Sequence, residues 1–204
     1  LLSPKKNDLV LDMASAPGGK TTHLAQLMNN KGVVVALDVD TRRLDSLRNN
    51  VERLGVTNVV SYKKDGRFVS DFGLQFDKIL LDAPCSGNFT LEADWFKKRS
   101  LLDLKEMSKL QRELLKEAWK VLKPKGTLAY STCSLEPEED ELNLDWFLEK
   151  FSDAKLVSLP KSVGSPALTE MFGKKLNPDI KKAMRFWPHK DSVNGFFVAK
   201  IEKK

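Results

Sequence analysis

Two cysteines are the side chains of this sequence best suited to covalent chemistry. Cys85 lies in the segment Asp82-Ala83-Pro84-Cys85-Ser86-Gly87, and Cys133 lies in the segment Ser131-Thr132-Cys133-Ser134. A thiolate adds to an electrophilic carbon and can leave again, which makes cysteine a common nucleophilic catalyst. Each segment follows an apolar run that predicts a β-strand. We therefore expect both thiols at the carboxyl ends of neighbouring parallel strands, the edge where such sheets bind ligands.

Several interpretations of these cysteines stay open on the residues alone. A predicted helix from Pro137 to Phe151 follows Cys133, and its dipole favours a thiolate there, whereas nearby acidic residues oppose that effect. Cys85 is an equal candidate for the nucleophile. Each cysteine is otherwise a small buried apolar residue, or the two form a redox pair. With only two histidines besides, the chain lacks a zinc signature, and we expect no metal.

A glycine-rich turn near the start of the chain indicates a ligand-binding loop. It reads Ala14-Ser15-Ala16-Pro17-Gly18-Gly19-Lys20 and joins a predicted strand, Leu9 to Met13, to a predicted helix, Gly19 to Asn30. Glycines let a ligand approach the backbone, and a helix start offers unpaired N–H groups. Asp38 closes the second predicted strand, where a carboxylate suits ribose hydroxyls, and Asp65 lies just past the third, where it suits an adenine edge. The alternative for both is helix capping or turn formation.

The same turn differs from the Walker A pattern only by an alanine in place of its first glycine. Ile79-Leu80-Leu81-Asp82 would then supply the magnesium-binding acid. Two features weigh against a bound triphosphate. Pro17 removes a backbone N–H that phosphate would need, and Asp12 and Asp38 would bring negative charge close to it. A nucleoside with polar or cationic substituents fits the loop better than a triphosphate.

Apolar runs alternate with helical patterns, which predicts an α/β fold with a doubly wound, mostly parallel sheet in one domain, residues 1–204. Further strands are predicted at Val33–Asp38, Val59–Tyr62, Phe76–Asp82, Thr127–Ser131 and Phe196–Ile201. Further helices are predicted at Thr41–Leu54 and from about Met107 to Val121. The segment from Ser86 to Glu106 is predicted to be irregular.

The charge of the chain is uneven along its length. The net charge is +6, and residues 155–204 carry eleven Lys and Arg against four Asp and Glu, which is +7. This basic end predicts contact with a polyanion, although a solvated lysine-rich surface is the alternative. No apolar run approaches membrane-spanning length. We expect a monomer in a reducing, intracellular compartment that makes no contact with a membrane.

The motifs together resemble the RNA 5-methylcytosine methyltransferases, which include bacterial ribosomal enzymes and the nucleolar and tRNA enzymes of the Nop/Sun group. The resemblance covers nearly the whole chain. It includes Leu11 to Thr21, Asp82 to Gly87, Ser131 to Ser134 with the acids that follow, and the tail from Arg185 to Lys200. It implies a Rossmann-like class I fold and methylation of carbon 5 of cytosine in tRNA or rRNA, with S-adenosylmethionine as cofactor.

The resemblance also assigns roles. It implies that Cys133 is the nucleophile and that Cys85 assists release of the product. It implies that the loop from Ala14 to Lys20 lines the cofactor site together with Asp38, Arg43, Asp65 and Asp82. Asp82 would also face the target cytosine as an acid. The enzyme would be cytoplasmic, or nucleolar in a eukaryote.

The chain departs from the family pattern in three places. Ala14-Ser15 stands where Cys-Ala or Ala-Ala is more usual, and Gly87-Asn88-Phe89 replaces the usual Gly-Thr/Ser-Gly. The chain starts without the preceding RNA-binding residues of the family, so we expect weak RNA affinity. A catalytically silent RNA-binding scaffold on the same fold is the remaining alternative.

Overall fold

The computed structural model describes residues 1–160 and 164–204, which fall into two compact units. The first unit consists of Leu1–Asp82, Lys116–Ala129 and Lys203. The second consists of Ala83–Leu115, the described part of Tyr130–Glu202, and Lys204. The assignment of the whole chain to one domain stays a prediction. In the part of the chain that the structure describes, no helix combines the length and the apolar character required to cross a bilayer.

The first unit is built from alternating strands and helices. In chain order these are β1 (Leu9–Asp12), α1 (Gly19–Leu27), β2 (Val33–Asp38), α2 (Thr41–Arg53), β3 (Val59–Lys63), a 3₁₀ helix (Gly66–Phe72) and β4 (Phe76–Asp82). The strand order is β3-β2-β1-β4, and each neighbouring pair is parallel. A cluster of buried apolar side chains from β1, α1, β2 and β4 forms a core, with Val10, Leu24, Met28, Val34 and Leu80 among its members.

The second unit contains most of one long helix and many short elements. They are α3 (Trp95–Lys98), most of α4 (Leu101–Val121), the end of β5 (Leu122–Thr132), α5 (Glu141–Lys150), β6 (Ala154–Val157), β7 (Ser165–Pro166), β8 (Glu170–Met171), β9 (Lys174–Lys175), a 3₁₀ helix (Pro178–Lys182), β10 (Met184–Phe186), α6 (Pro188–Asp191) and most of β11 (Phe196–Lys203). The strand order here is β5-β11-β10-β7, and β10 is antiparallel to both of its neighbours. The predicted fold class, a mostly parallel sheet with flanking helices, is confirmed.

Several predicted boundaries are wrong, for local reasons. The helix α1 ends at Leu27 instead of Asn30, because Asn29 and Asn30 both adopt the left-handed conformation, with φ of 53° and 55°. The strand β5 begins at Leu122 rather than Thr127. The segment predicted to be irregular contains α3 and the start of α4. Ser100 and Asp103 cap α4, since each side chain bonds the backbone N–H of the other.

The helix predicted to start at Pro137 also begins later. Residues 137–140 form turns, and α5 starts only at Glu141. Cys133 therefore lies eight residues before the helix start. Because the field of a helix dipole falls off within its first turn, the argument that a helix start promotes the Cys133 thiolate is wrong.

Candidate active site

The glycine-rich loop after β1 is held by hydrogen bonds to β2. The backbone N–H and the hydroxyl of Ser15 both donate to the carbonyl of Leu37, at 2.8 and 2.9 Å. Gly18 has a φ of 107°, and a Cβ at this position would lie 3.2 Å from the Cγ of Leu47. Only glycine combines this backbone conformation with so close an approach of α2. Contacts with β2 and α2 therefore define the conformation of the loop within the first unit.

A cavity of about 280 Å³ opens above this loop within the first unit. Inside it, the ammonium of Lys20 lies 2.7 Å from a carboxylate oxygen of Asp82. The cavity can therefore offer one cation and carboxylates to a ligand that carries both signs of charge. Its lining includes most of the predicted loop and consists of Asp12, Ala14, Ser15, Ala16, Pro17, Gly19, Lys20 and Asp82.

Asp12 is a lining residue whose role the sequence patterns did not identify. It ends β1 and is 1 % exposed. Its Oδ2 accepts a 2.7 Å hydrogen bond from the hydroxyl of Thr21, whereas its Oδ1 has no hydrogen-bond partner. Burial, with a smaller contribution from Asp82, raises the pKa of Asp12 to about 7. The sequence did contain a signal for this residue, which is a carboxylate at the end of an otherwise apolar strand.

The raised pKa of Asp12 predicts a pH-dependent stability. The fold favours the protonated acid, so this contribution is complete below about pH 4 and is lost as the pH rises through about 7. In Asp12→Asn the Asn oxygen still accepts from Thr21, but nothing titrates. We expect the unfolding free energy of the native protein to fall by roughly 2–4 kcal/mol relative to this variant over that range. Urea unfolding of both proteins across that range measures the difference, and parallel curves would contradict the prediction.

Four predicted cofactor residues lie outside the lining of this cavity, namely Gly18 of the loop, Asp38, Arg43 and Asp65. Asp38 is buried, and its two oxygens accept from the backbone N–H groups of Ala16 and Asp40. Arg43 donates to the carbonyl of Ala16, and its Nη1 lies 3.5 Å from Asp38. These two side chains therefore brace the loop. Their contact with a cofactor stays a prediction.

Asp65 takes the capping role named as its alternative. Its side chain accepts from the backbone N–H of Arg67 at the start of the 3₁₀ helix and forms an ion pair with the Arg67 guanidinium at 2.7 Å. This hydrogen-bonded pair lowers the pKa of Asp65. The aspartate stands two residues after β3, as the pattern predicted, and its contact with an adenine edge stays a prediction.

The two cysteines lie side by side in the second unit. Their sulfur atoms are 2.7 Å apart without a disulfide between them, and both residues are half-buried. Hydrogen bonding to the Cys133 thiol, together with burial, raises the pKa of the Cys85 thiol far above its usual range. A backbone bond from Ala83 N–H to the Ser131 carbonyl, 2.8 Å long, joins the two segments. The two thiols are therefore close together, as predicted.

Comparison with known proteins gives the family. The family model described as 16S rRNA methyltransferase RsmB/F matches residues 1–202. The chain belongs to the RsmB/F methyltransferase family. Among its relatives, a tRNA (cytosine(72)-C(5))-methyltransferase of Pyrococcus horikoshii is 40 % identical over 203 residues, which cover 100 % of this chain and 49 % of the relative. Membership of the RsmB/F family argues against the Walker A interpretation of the loop.

Solved structures agree with this assignment. A methyltransferase homolog protein from Pyrococcus horikoshii superposes with a TM-score of 0.91 at 48 % identity, over 100 % of this chain and 64 % of that chain. NSun6 from Pyrococcus horikoshii with SFG superposes with a TM-score of 0.86 at 41 % identity, over 99 % of this chain and 49 % of that chain. The chain thus spans between about half and about two thirds of the length of these RsmB/F relatives.

Asn88 occupies one of the positions where this RsmB/F member departs from the usual motif. It is 1 % exposed, and its amide nitrogen donates to the carbonyls of Cys133 and Gly195. Its oxygen accepts from the N–H and the hydroxyl of Thr90. The asparagine therefore ties the loop after Cys85 to the backbone of Cys133. The sequence patterns flagged the departure but carried no sign of this link.

Removal of the Asn88 amide should destabilise the second unit. In Asn88→Ala the carbonyls of Cys133 and Gly195 lose a donor, and we expect a loss of about 1–3 kcal/mol of unfolding free energy. Asn194 is an exposed asparagine beside Gly195, so Asn194→Ala is a matched control that should change stability by less than about 0.5 kcal/mol. Urea unfolding of both variants measures the difference, and equal midpoints would disprove the bridging role.

Proposed function

We propose that this chain is the catalytic part of an RNA methyltransferase that transfers a methyl group to carbon 5 of cytosine, with S-adenosylmethionine as methyl donor and Cys133 as nucleophile. The observation that carries the proposal is the pair of adjacent thiols, 2.7 Å apart, in a chain of the RsmB/F family. Under the alternative of a silent scaffold, two half-buried thiols in contact with each other would have no catalytic use.

The cavity residues fit a zwitterionic amino-acid group such as the methionine end of this cofactor. Asp12 has an orphaned carboxylate oxygen that suits an ammonium, and Lys20 suits a carboxylate. The Gly18 turn keeps side chains away from the backbone, so that a ligand can reach the loop N–H groups. When bound, S-adenosylmethionine supplies an electrophilic methyl group. SFG in NSun6 of Pyrococcus horikoshii is consistent with this assignment.

The thiols supply the covalent chemistry. Carbon 5 of cytosine is too weak a nucleophile to take a methyl group unaided. The Cys133 sulfur forms a bond to carbon 6, and the electron pair of the 5,6 double bond becomes available at carbon 5. After carbon 5 gains the methyl group it loses its proton to a base. The electrons of that C–H bond restore the double bond as the Cys133 thiolate leaves.

Two further residues have roles in this proposal. We assign Cys85 to the release step, because its sulfur lies 2.7 Å from the sulfur of Cys133, which bonds the base. Asp82, at the end of β4, hydrogen-bonds the ring nitrogen and exocyclic amine of the base and so promotes the addition. The target base must leave its stack to meet these groups.

RNA is the proposed macromolecular substrate. The family model is described by its action on 16S rRNA, and the Pyrococcus horikoshii relative by its action on tRNA. The excess positive charge of residues 155–204 suits a phosphate backbone. We propose tRNA or rRNA as the substrate class, with a monomeric enzyme.

The proposal is tested by incubating the protein with S-adenosylmethionine labelled in its methyl group and excess tRNA or rRNA. We expect label in 5-methylcytidine after digestion of the RNA to nucleosides. RNA binding without label would favour the silent scaffold. Calorimetry with S-adenosylhomocysteine and with Mg-ATP separates the cofactor classes, and heat with ATP alone would overturn the cofactor assignment.

A further inference from the structure

Glu139 is a buried carboxylate at the centre of a hydrogen-bond cluster in the second unit. It lies in the turns before α5 and is fully buried. Its oxygens accept from the Gln111 side-chain amide at 2.7 Å and from the Ser134 hydroxyl at 3.0 Å. They also accept from the backbone N–H of Ser86, at 3.1 Å, and from the Ser86 hydroxyl. Each carboxylate oxygen thus accepts at least two hydrogen bonds.

Two of the three donor residues of this cluster are immediate neighbours of the two cysteines. Ser86 directly follows Cys85, and Ser134 directly follows Cys133. The Gln111 amide also donates, at 2.9 Å, to the carbonyl of Pro84, which directly precedes Cys85. One side chain therefore connects the segments on which both sulfur atoms are carried, although these segments lie 48 residues apart in the chain.

We propose that Glu139 is a positioning residue that sets the separation and orientation of the two thiols. The inference rests on the proposed catalytic use of Cys133 and Cys85. It assigns no proton transfer to Glu139 and no contact with the substrate. Its effect passes through Ser86 and Ser134, because a shift of either serine moves the cysteine bonded to it.

The two oxygens of Glu139 have different partners, since Oε2 accepts from the Ser86 N–H and the Gln111 amide, whereas Oε1 accepts from the Ser86 and Ser134 hydroxyls. The Ser86 N–H and the Gln111 amide only donate, and they reach the carboxylate together with two hydroxyls. A glutamine has the same size but replaces one oxygen by an NH₂ group. With the glutamine oxygen in the Oε2 position, that group would face the Ser86 and Ser134 hydroxyls, which would have to turn from donating to accepting, so the contacts that hold both serines must rearrange. Glu139→Gln therefore separates the positioning role from simple loss of volume.

Thiol oxidation measures the arrangement without RNA or methyl transfer. Diamide takes one hydrogen atom from each thiol and becomes the hydrazine, while the two sulfur atoms form a disulfide. Because reaction within one molecule depends on geometry, displaced thiols should pair more slowly by about tenfold or more. Alkylation of the remaining thiols and mass spectrometry of the intact chain give the rate.

The matched control is Glu136→Gln. Glu136 lies three residues earlier and is half-buried, but its carboxylate accepts no hydrogen bond from Ser86, Ser134 or Gln111 among the described contacts. Glu136→Gln removes one carboxylate, as Glu139→Gln does, but it leaves the cluster undisturbed. We expect diamide to pair its thiols at the native rate. Ser134→Ala, which removes one donor and keeps the carboxylate, should give an intermediate rate.

The effect on the reaction should lie in the chemical step. For Glu139→Gln we expect kcat to fall by about 10- to 100-fold, with KM for S-adenosylmethionine and affinity for S-adenosylhomocysteine changed by less than about twofold. Native rates of disulfide formation in both Glu139→Gln and Ser134→Ala would overturn the proposal. The proposal would also be overturned if Glu136→Gln slowed disulfide formation as much as Glu139→Gln does. If no methylation is found in the native protein, the proposed function fails, but the oxidation rates still decide the role of Glu139.

Discussion

Cys133→Ala is expected to lower the rate of methyl transfer to RNA by at least about 10³-fold, because removal of the nucleophile leaves carbon 5 of the cytosine unactivated. The substitution removes a single sulfur atom from a half-buried site, so the fold should persist. The cavity-lining residues belong to the first unit, whereas Cys133 belongs to the second. Affinity for S-adenosylhomocysteine should therefore change by less than about twofold.

Single-turnover transfer of a labelled methyl group, with the variant in excess over RNA, measures this loss. Calorimetry with S-adenosylhomocysteine on the same preparation supplies the count of folded sites. Cys85→Ala provides the matched control, because it removes the other thiol and leaves Cys133 able to add to the base. Transfer by Cys133→Ala at more than about a tenth of the native rate would reject Cys133 as the nucleophile and return Cys85 to consideration.

Elements that are buried on both faces were predicted closely. The bounds of β2 and β4 agree with prediction, since parallel strands covered by helices consist of near-continuous apolar residues. Errors are concentrated where a few polar contacts set a boundary. The Ser100–Asp103 capping box starts α4 six residues before the apolar periodicity becomes visible. The short strands β7 to β10 have two or three residues each, which is too few for any periodic signal.

The residues of the candidate site also fall into a group that was predicted and a group that was not. The loop, Asp82 and the two thiols were found because turn chemistry and strand ends are local features of a sequence. Asn88 and Glu139 were not assigned roles in the site, because each has partners that lie far along the chain. Asp12 was not assigned a role either, although its partner Thr21 lies nine residues away. Asn88 reaches Gly195 across 107 residues, and Glu139 reaches Ser86 across 53. No local pattern records such contacts.

Asp38 illustrates the limit of reasoning from position alone. Its place at the end of β2 predicted ribose binding, yet both of its oxygens accept backbone N–H bonds that shape the loop. Carboxylate oxygens have more than one lone pair, so these bonds do not fill the acceptor capacity of the group. The sequence position predicted where Asp38 would lie, but only the structure shows which backbone N–H groups its oxygens bond.

Cys85→Ala is expected to accumulate a covalent complex between the protein and its RNA substrate. Cys133 can still add to carbon 6, and carbon 5 can still be methylated. Release requires loss of the carbon-5 proton, and the variant lacks the thiol assigned to this step. With S-adenosylmethionine and RNA present, a band of lower mobility should appear on a denaturing gel. Turnover should fall by about 100-fold or more, since general base catalysis contributes about 10²- to 10⁴-fold.

The double variant Cys85→Ala/Cys133→Ala separates a covalent complex from tight binding. Because it lacks the sulfur that forms the bond, it should give no slow band under denaturing conditions. Mass spectrometry of the nuclease-treated band should place the nucleotide on the peptide that contains Cys133. Turnover of Cys85→Ala at the native rate would remove Cys85 from the release step. An adduct that persists in the double variant would show that neither thiol carries the base.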